Sequence, residues 1–467
     1  MIKPRIIRPR KISPSSLKVG PFYTVASVEL GNTTTKCIIV TTNLETAEIF
    51  EVAKEIRMTR DVRPPREDES SFGETIAGVA LTEESVSEMI ADILRSAVSE
   101  AKIDLERDLH FVVRSTGVNA GFTSPEEVQS IIKALAQGCL DAGVPPRRMT
   151  ASMSPENLPP GIREFTWLKK VYFDGAIASC LPPANTEIVA NEMEGELVTA
   201  GIKGAVKGTD VDFRNPVLTL DFGTTLAGRV VDDSYPYART VGSFAGLAGA
   251  IPDALAKGSG LTNRPDGVMS DLSSRSTRTI DSNVKSWVKR LEKIIRVEEV
   301  PEGVDRYGTV PVNTDAAAES GTLLIGVDVG ANGSNLPLLS RHALELVEEG
   351  GRGLLLAVVD LLMARLAYRL ISMCDFRGLI LPETSFGLTG RALTTGQKPE
   401  LLLEELVSGK LMAPETSRQA VFVEDGLAMG AAVAARCMNS MGTRENPMGG
   451  RKGDSCIMGA RMKLQRD

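Results

Sequence analysis

The chain has little of what metal centres and imidazole-based catalytic dyads need. Its two histidines, His110 and His342, stand far apart, and its cysteines, at positions 37, 139, 180, 374, 437 and 456, never approach CxxC spacing. A clustered Cys/His zinc site is therefore not expected, and scattered thiols fit a reducing, cytoplasmic compartment. Long apolar runs are also missing. The longest, Leu354 to Ile371, is interrupted by Asp360, Arg365 and Arg369, so a buried helix explains it better than a membrane span. The start is basic and broken by Pro4, Pro9 and Pro14, with no apolar signal-peptide core. A net charge of −7 gives no global reason to expect nucleic acid or an anionic membrane as partner. Aromatic residues make up only 4%.

Small residues are abundant instead. Forty-three glycines within 42% hydrophobic and 24% charged residues fit a soluble α/β protein of two or three domains with tight loops. The most informative stretch is Val217–Val231, VLTLDFGTTLAGRVV. Apolar residues lead into Asp221, then Gly223, Thr224 and Thr225, then apolar residues again, which reads as strand, tight turn, strand. A turn with free N–H groups and hydroxyls suits phosphate, and the carboxylate beside it suits the accompanying metal. Near the start the pattern recurs in Thr24–Val40, TVASVELGNTTTKCIIV, with Glu29, Gly31 and Thr33, Thr34, Thr35. Two such turns, one heading each half, suggest a duplicated fold with a nucleotide between the copies.

Residues 1–20 carry Lys3, Arg5, Arg8, Arg10, Lys11 and Lys18 with no acid, and read as a solvated cationic arm rather than a docking segment. Thr82 is placed to cap a helix with Glu83 and Glu84 in its first turn. Ser124-Pro125-Glu126-Glu127 opens another, running to about Ala142 with Gly143 as its stop. A strand at His110–Val113 ends at Arg114-Ser115-Thr116, and His110 reads as a satisfied structural histidine. Residues 188–202 hold Asn191-Glu192 and a small-residue helix. A third Gly-rich stretch, GVDVGANGSN with Asp328 and Asn332, reads as a plain hairpin. A strand at Gly378–Leu381 is expected to lead into Ser385–Arg391, and a small-residue helix to cover Glu424–Cys437.

The order of these pieces resembles the actin-like ATPase superfamily, which includes acetate and sugar kinases, Hsp70 chaperones and actin. The resemblance covers about residues 22–438. Leu30–Lys36 and Leu218–Gly228 are similar to its two phosphate loops, Ile188–Gly201 and Glu424–Ala435 to its connecting helices, and Leu379–Arg391 to its adenosine-binding strand and turn. ELGNTTTK is most similar to activator and reactivase ATPases, and the whole sequence resembles the methanogenesis marker protein 14 family of methanogenic archaea. The implied fold class is α/β, with duplicated ribonuclease H-like domains and a nucleotide cleft between them. The implied organisation is a basic arm over 1–20, a first domain over 21–215, a second over 216–440 with a helical insertion at about 240–340, and a tail over 441–467.

The resemblance also implies roles. ATP phosphates would be held at Gly31, Asn32, Thr33 and Thr34 and at Gly223, Thr224 and Thr225, with Mg²⁺ ordered by Asp221 and Glu29. Lys36 either reaches a phosphate or is a solvated strand lysine. Glu192 either orients the attacking water, as a catalytic partner of Asp221, or is a helix N-terminal carboxylate favoured by the macrodipole. Gly387, Gly390 and Arg391 would flank adenosine. Gly201 and Gly426 are candidate hinges for a domain closure driven by ATP. Two departures stand out: Glu29 replaces the usual Asp, and the flanks of Cys139 and Cys180 do not match those of cluster-bearing activators, so no iron–sulfur cluster is expected. The expected function is an ATP-binding, ATP-hydrolysing activator of a client enzyme. Expected clients are methyl-coenzyme M reductase or a corrinoid protein, with a homodimer as an open possibility. A small-molecule kinase and a non-hydrolysing nucleotide-binding scaffold are the alternatives.

Overall fold

The computed structural model describes residues 3–31, 33–75, 78–116, 125–149, 176–178, 192–234, 238–261, 276, 278–308, 310–413 and 419–441. The expectations for Asn32, Asn191, Cys180, Ser124 and the 441–467 tail beyond Met441 fall outside them, as do the side chains of Glu192 and Asn332. The chain forms two compact units. One comprises Arg8–Ile188, Glu192–Val211 and Asp425–Asp467; the other comprises Met1–Ile7, Val189–Asn191 and Asp212–Glu424. We call them the N-terminal and C-terminal units.

Ten strands carry the argument: β1 (Phe22–Leu30), β2 (Thr34–Asn43), β3 (Ile49–Met58), β4 (Phe111–Thr116), β5 (Ala176–Ala178), β6 (Val217–Phe222), β7 (Leu226–Val231), β8 (Thr240–Gly246), β9 (Ser385–Thr389) and β10 (Ala420–Val423). In the N-terminal unit the order is β3-β2-β1-β4-β5, with Arg10–Lys11 added beside β3. Strands β1, β2 and β3 form an antiparallel meander, while β4 runs parallel to β1 and β5 parallel to β4. In the C-terminal unit the order is β8-β7-β6-β9-β10, with the same directions. There the sheet continues past β8 through Leu323–Asp328 and Arg296–Glu299, and past β10 through Arg5–Ile7. The two mixed α/β units thus share strand order and polarity.

The apolar strands are buried because helices cover them. In the N-terminal unit the helix Glu83–Ala101 begins at Thr82, whose side chain accepts from the Ser85 N–H while Ser85 bonds back to the Thr82 N–H, a capping box. Its Val86, Ile90, Ile93, Leu94 and Ala97 share a core with Ala26, Val28 and Leu30 of β1 and Cys37 and Ile39 of β2. Val25, Ile38 and Val40 alternate with these along the strands and are buried as well. The helix Gly426–Met441 packs on β1, β2 and β4 and on the helix Glu192–Ala205. At that crossing Gly201 and Gly430 bring backbones so close that a Cβ on either would strike the partner's carbonyl, Gly426 O or Leu197 O. The expected hinge glycines therefore sit in a tight helix contact. The last helix also belongs to the N-terminal unit, a division that a boundary at 215/216 does not capture.

The C-terminal unit is built on the 41-residue helix Leu336–Phe376, kinked at Gly351, where φ is 64°. Most of its stretch from Leu354 to Ile371 is buried, and among the described residues no helix is long and apolar enough to cross a membrane. The three interrupting charges have partners: Asp360 pairs with Lys398, Arg365 with Glu292, and Arg369 donates to the Ile295 carbonyl.

Four expectations differ from what is observed. The basic arm is not a free tail: Arg5–Ile7 pairs parallel to β10 and Arg10–Lys11 parallel to β3, with the capped helix Pro14–Val19 following. Backbone pairing, invisible in a basic composition, supplies its order. The expected strand Gly378–Leu381 is a non-strand segment; the strand is β9, and Leu379 packs over Gly242 of β8. The third Gly-rich turn is no hairpin but a strand-to-helix junction, from Leu323–Asp328 through Ala331–Gly333 to the long helix. Finally, the insertion at 240–340 is not purely helical: it contains β8 and the strands Arg296–Glu299 and Leu323–Asp328.

Candidate functional site

Each unit presents its hydroxyl-bearing turn at the carboxyl end of its first strand, where ligands of open α/β sheets are held. In the N-terminal unit the turn joins β1 to β2. Gly31 N–H donates to Thr34 O at 3.1 Å, closing the turn. Thr59, just past the end of β3, donates through Oγ1 to Gly31 O at 2.7 Å, while its backbone N–H reaches Thr33 O at 3.0 Å. Thr35 and Thr59 also share a hydroxyl contact of 2.9 Å. The turn is therefore held by its own strands and tied from the third.

The turn between β6 and β7 in the C-terminal unit is tied in the matching way. Gly249, shortly past the end of β8, donates its N–H to Gly223 O at 2.7 Å. A Cβ on Gly249 would lie 2.6 Å from Gly223 C and 3.0 Å from Thr224 N. Only glycine lets the helix Ala250–Gly258 start so close to the turn. Thr225 is buried and Gly223 and Thr224 half-buried.

The carboxylates at the two strand ends differ. Glu29 stands opposite Lys36 across β1 and β2, and the Lys36 ammonium donates to Glu29 Oε2 at 2.9 Å. Lys36 is thus an ion-pair partner rather than an unpaired solvated lysine. Asp221 stands opposite Ala227, which brings no charge. Asp221 is buried, at 7% exposure, and is flanked by Gly390 at the end of β9. There φ is +89°, and a Cβ would come within 2.7 Å of Asp221 Oδ1 and 2.6 Å of the Phe222 carbonyl. Gly390, Arg391, Asp221, Gly223, Thr224 and Thr225 therefore come together in one unit. Gly387 does not join them at the rim; it lies inside β9, between Thr219 of β6 and Val421 of β10.

A magnesium ion would find a fitting but sparse protein shell here. Among the described residues no group of three His, Cys, Asp or Glu could hold a metal. An ion at Asp221 would take most of its ligands from water and phosphate oxygens, the habit of Mg²⁺.

The other candidates resolve into structural roles. Asp328 accepts from Arg296 Nε at 2.9 Å and from the Gly330 N–H at 3.0 Å, so both its oxygens are engaged. Arg114 is buried and donates to Met149 O at 3.3 Å. His110 Nδ1 accepts from the Thr24 N–H at 3.0 Å, and burial, aided by the nearby Arg148, holds its pKa below the usual imidazole value. Cys139 is buried in the helix Pro125–Asp141, where burial pushes its thiol up to about 12; such a thiol is a poor nucleophile. Sequence reasoning missed Thr59 and Gly249, which tie the turns from a distance. It named Asp360 only as a break in an apolar run and missed its pairing with Lys398.

The family described as an uncharacterized protein conserved in archaea (DUF2114) matches residues 22–465. An uncharacterized protein of Methanocaldococcus jannaschii is 49% identical over 467 residues, 100% of this chain and 96% of that one. An uncharacterized protein of Methanothermobacter thermautotrophicus is 52% identical over 454 residues, 96% of this chain and 84% of that one. Among solved structures, a reductive activator for a corrinoid, iron-sulfur protein matches with 11% identity and a TM-score of 0.36. That match covers 89% of this chain but spans only 60% of the activator, and at this score it carries no argument about fold or function. With its match running over nearly the whole sequence, the chain belongs to the archaeal DUF2114 family.

Proposed function

We propose that the chain is an ATP-binding, ATP-hydrolysing activator of a client enzyme, built on the duplicated actin-like ATPase fold. The observation that carries this reading is the repetition. Two sheets that share a five-strand order each bear a Gly-Thr-rich turn after the first of those strands in the chain, with the leading glycine's carbonyl tied from just past the third. In this reading the backbone N–H groups and hydroxyls at Gly223, Thr224 and Thr225, and those at Gly31, Asn32, Thr33 and Thr34, hold phosphate oxygens. Asp221 orders Mg²⁺, which when bound neutralises charge developing on the transferred phosphoryl group. Glu192 orients the attacking water. Gly390 and Arg391 border the nucleoside. The client is a protein linked to methanogenesis, with methyl-coenzyme M reductase and a corrinoid protein as candidates; this assignment rests on the resemblance of the sequence to the marker protein 14 family.

The Lys36–Glu29 pair favours a second reading, a nucleotide-binding scaffold without hydrolysis, because one of the two expected metal-side carboxylates is already engaged. Calorimetry of Mg·ATP with the full chain, followed by turnover assays, separates them. Binding with turnover supports the ATPase; binding without turnover in the presence of candidate clients supports the scaffold. Turnover that rises many-fold with a small acceptor molecule would make the protein a kinase. Absence of binding overturns all three.

A further inference from the structure

The fold spends a buried ion pair on a segment that lies outside any sheet. Asp360, in the middle of the long helix, is 0% exposed, and Lys398, at the start of the helix Lys398–Ser408, is 1% exposed. Lys398 Nζ donates to Asp360 Oδ1 at 2.7 Å, and the Gln397 N–H donates to Asp360 Oδ2 at 2.9 Å. Gly396, with φ +68°, faces the same carboxylate so closely that a Cβ would lie 2.8 Å from Oδ2. From this anchor the contacts run back towards the acidic turn. Lys398 Nζ reaches Thr395 O at 3.3 Å, Thr395 Oγ1 donates to Arg391 O at 2.7 Å, and Thr394 Oγ1 donates to Gly390 O at 3.0 Å. At the far end Gly390 abuts Asp221 and Phe222. Gln397 Nε2 adds a bond to Ser276 O at 2.8 Å.

An apolar pair would fill this volume at less desolvation cost. What the ion pair adds is an anchor: a buried ammonium and carboxylate are held in contact because separating them leaves an uncompensated buried charge. The segment from Gly390 to Lys398 joins no strand ladder, although its first turn, Arg391–Thr394, lies against β6 and β9, whereas Asp221 is fixed by pairing on both sides of β6.

We propose that Asp360 and Lys398 are positioning residues that hold the Gly390–Arg391 turn in the shape that accepts the nucleoside part of a nucleotide, while the phosphate turn at Gly223–Thr225, which follows the β6 end that Gly390 abuts, has ties of its own in the β6–β7 ladder and the Gly249 bond. The inference rests on the nucleotide-binding reading above and assigns a specificity role within it. It predicts that loss of the pair separates two affinities that are otherwise linked.

The test compares Mg·ATP with Mg·tripolyphosphate, which has the phosphates but no nucleoside, by calorimetry on the full chain. Asp360→Asn and Lys398→Met are the direct variants. Thr395→Val, which deletes only the hydroxyl bond to Arg391 O, is the mild one should either direct variant fail to fold. The expected result is a roughly tenfold or greater loss of ATP affinity in the direct variants, a smaller loss in Thr395→Val, and tripolyphosphate affinity unchanged within about twofold. Equal losses for both ligands, or unchanged ATP affinity in folded variants, would overturn the proposal. If the unmutated chain binds tripolyphosphate and ATP equally well, the nucleoside role fails while phosphate binding stands. If it binds neither, the nucleotide reading itself falls, and this proposal with it.

Discussion

The turns at Glu29–Lys36 and Asp221–Ala227 occupy the same place in two sheets of the same strand order, yet their chemistry has diverged. Each strand-end carboxylate sits beside a hydroxyl residue on the parallel strand, Ser115 for Glu29 and Thr389 for Asp221. Across the antiparallel pair, however, one meets Lys36 and the other Ala227. In the N-terminal unit the carboxylate is paired within the sheet. In the C-terminal unit the residue opposite it across the hairpin, Ala227, carries no charge, and the carboxylate is buried and faces a glycine at a backbone angle that side chains rarely adopt. The difference teaches that one strand order and one kind of turn can carry two different electrostatic settings, fixed by the single residue opposite the carboxylate, Lys36 in one unit and Ala227 in the other.

The largest expected effect is on stability. Asp360→Ala leaves the Lys398 ammonium buried without its counter-ion, and loss of one partner of a buried pair costs about 3–5 kcal/mol. Chemical denaturation should show this, whereas Glu29→Ala should not approach it, because Glu29 and Lys36 keep 22% and 18% of their side-chain surfaces in contact with solvent.

A smaller effect concerns pH in the N-terminal unit. The pKa of His110 in the folded state is depressed by burial from the usual 6.5, so the folded chain prefers the neutral ring, whose Nδ1 accepts from the Thr24 N–H. The unfolded chain then binds more protons, and the contribution to stability is full above about pH 6.5 and declines as the pH falls towards the lowered folded value. Unfolding midpoints measured between pH 7.5 and 5 should drop, and His110→Gln should flatten that part of the profile. A profile unchanged by the substitution would show that His110 does not titrate on unfolding.

The smallest effect is Lys36→Met, which opens the Glu29 pair. Partly exposed pairs are worth roughly 0–1 kcal/mol, so thermal unfolding should shift by no more than a few degrees. A larger loss would mean that this pair, too, is a structural keystone.

Much of the scaffold was legible because local rules and the final fold agree. Strand–Gly–Thr–strand patterns mark both turns, and Thr82 with an acidic first turn marks a helix start. Gly143, with φ +93°, ends another helix as its position suggests. What escaped depends on partners distant in sequence. Asp328 looked like a hairpin acid because nothing local reveals that Arg296 stands opposite it. Leu379, Ile380 and Leu381 looked like a strand because apolar content cannot distinguish a segment packed over a sheet from one within it. The basic arm looked solvated because its order comes from main-chain pairing with β10 and β3. In the candidate site the residues of the turns could be read from sequence; the ties from Thr59 and Gly249 and the Asp360 anchor could not, since each joins residues many positions apart.

Under the proposed function, metal-dependent nucleotide binding depends on Asp221 and not on Glu29. The most direct test of that dependence is calorimetric titration of Mg·ATP into the unmutated chain, Asp221→Ala and Glu29→Ala under one set of conditions. The account predicts at least about a hundredfold weaker binding for Asp221→Ala, close to 2.7 kcal/mol, and a change within about threefold for Glu29→Ala. Equal losses at the two positions, or unchanged affinity in Asp221→Ala, would contradict it.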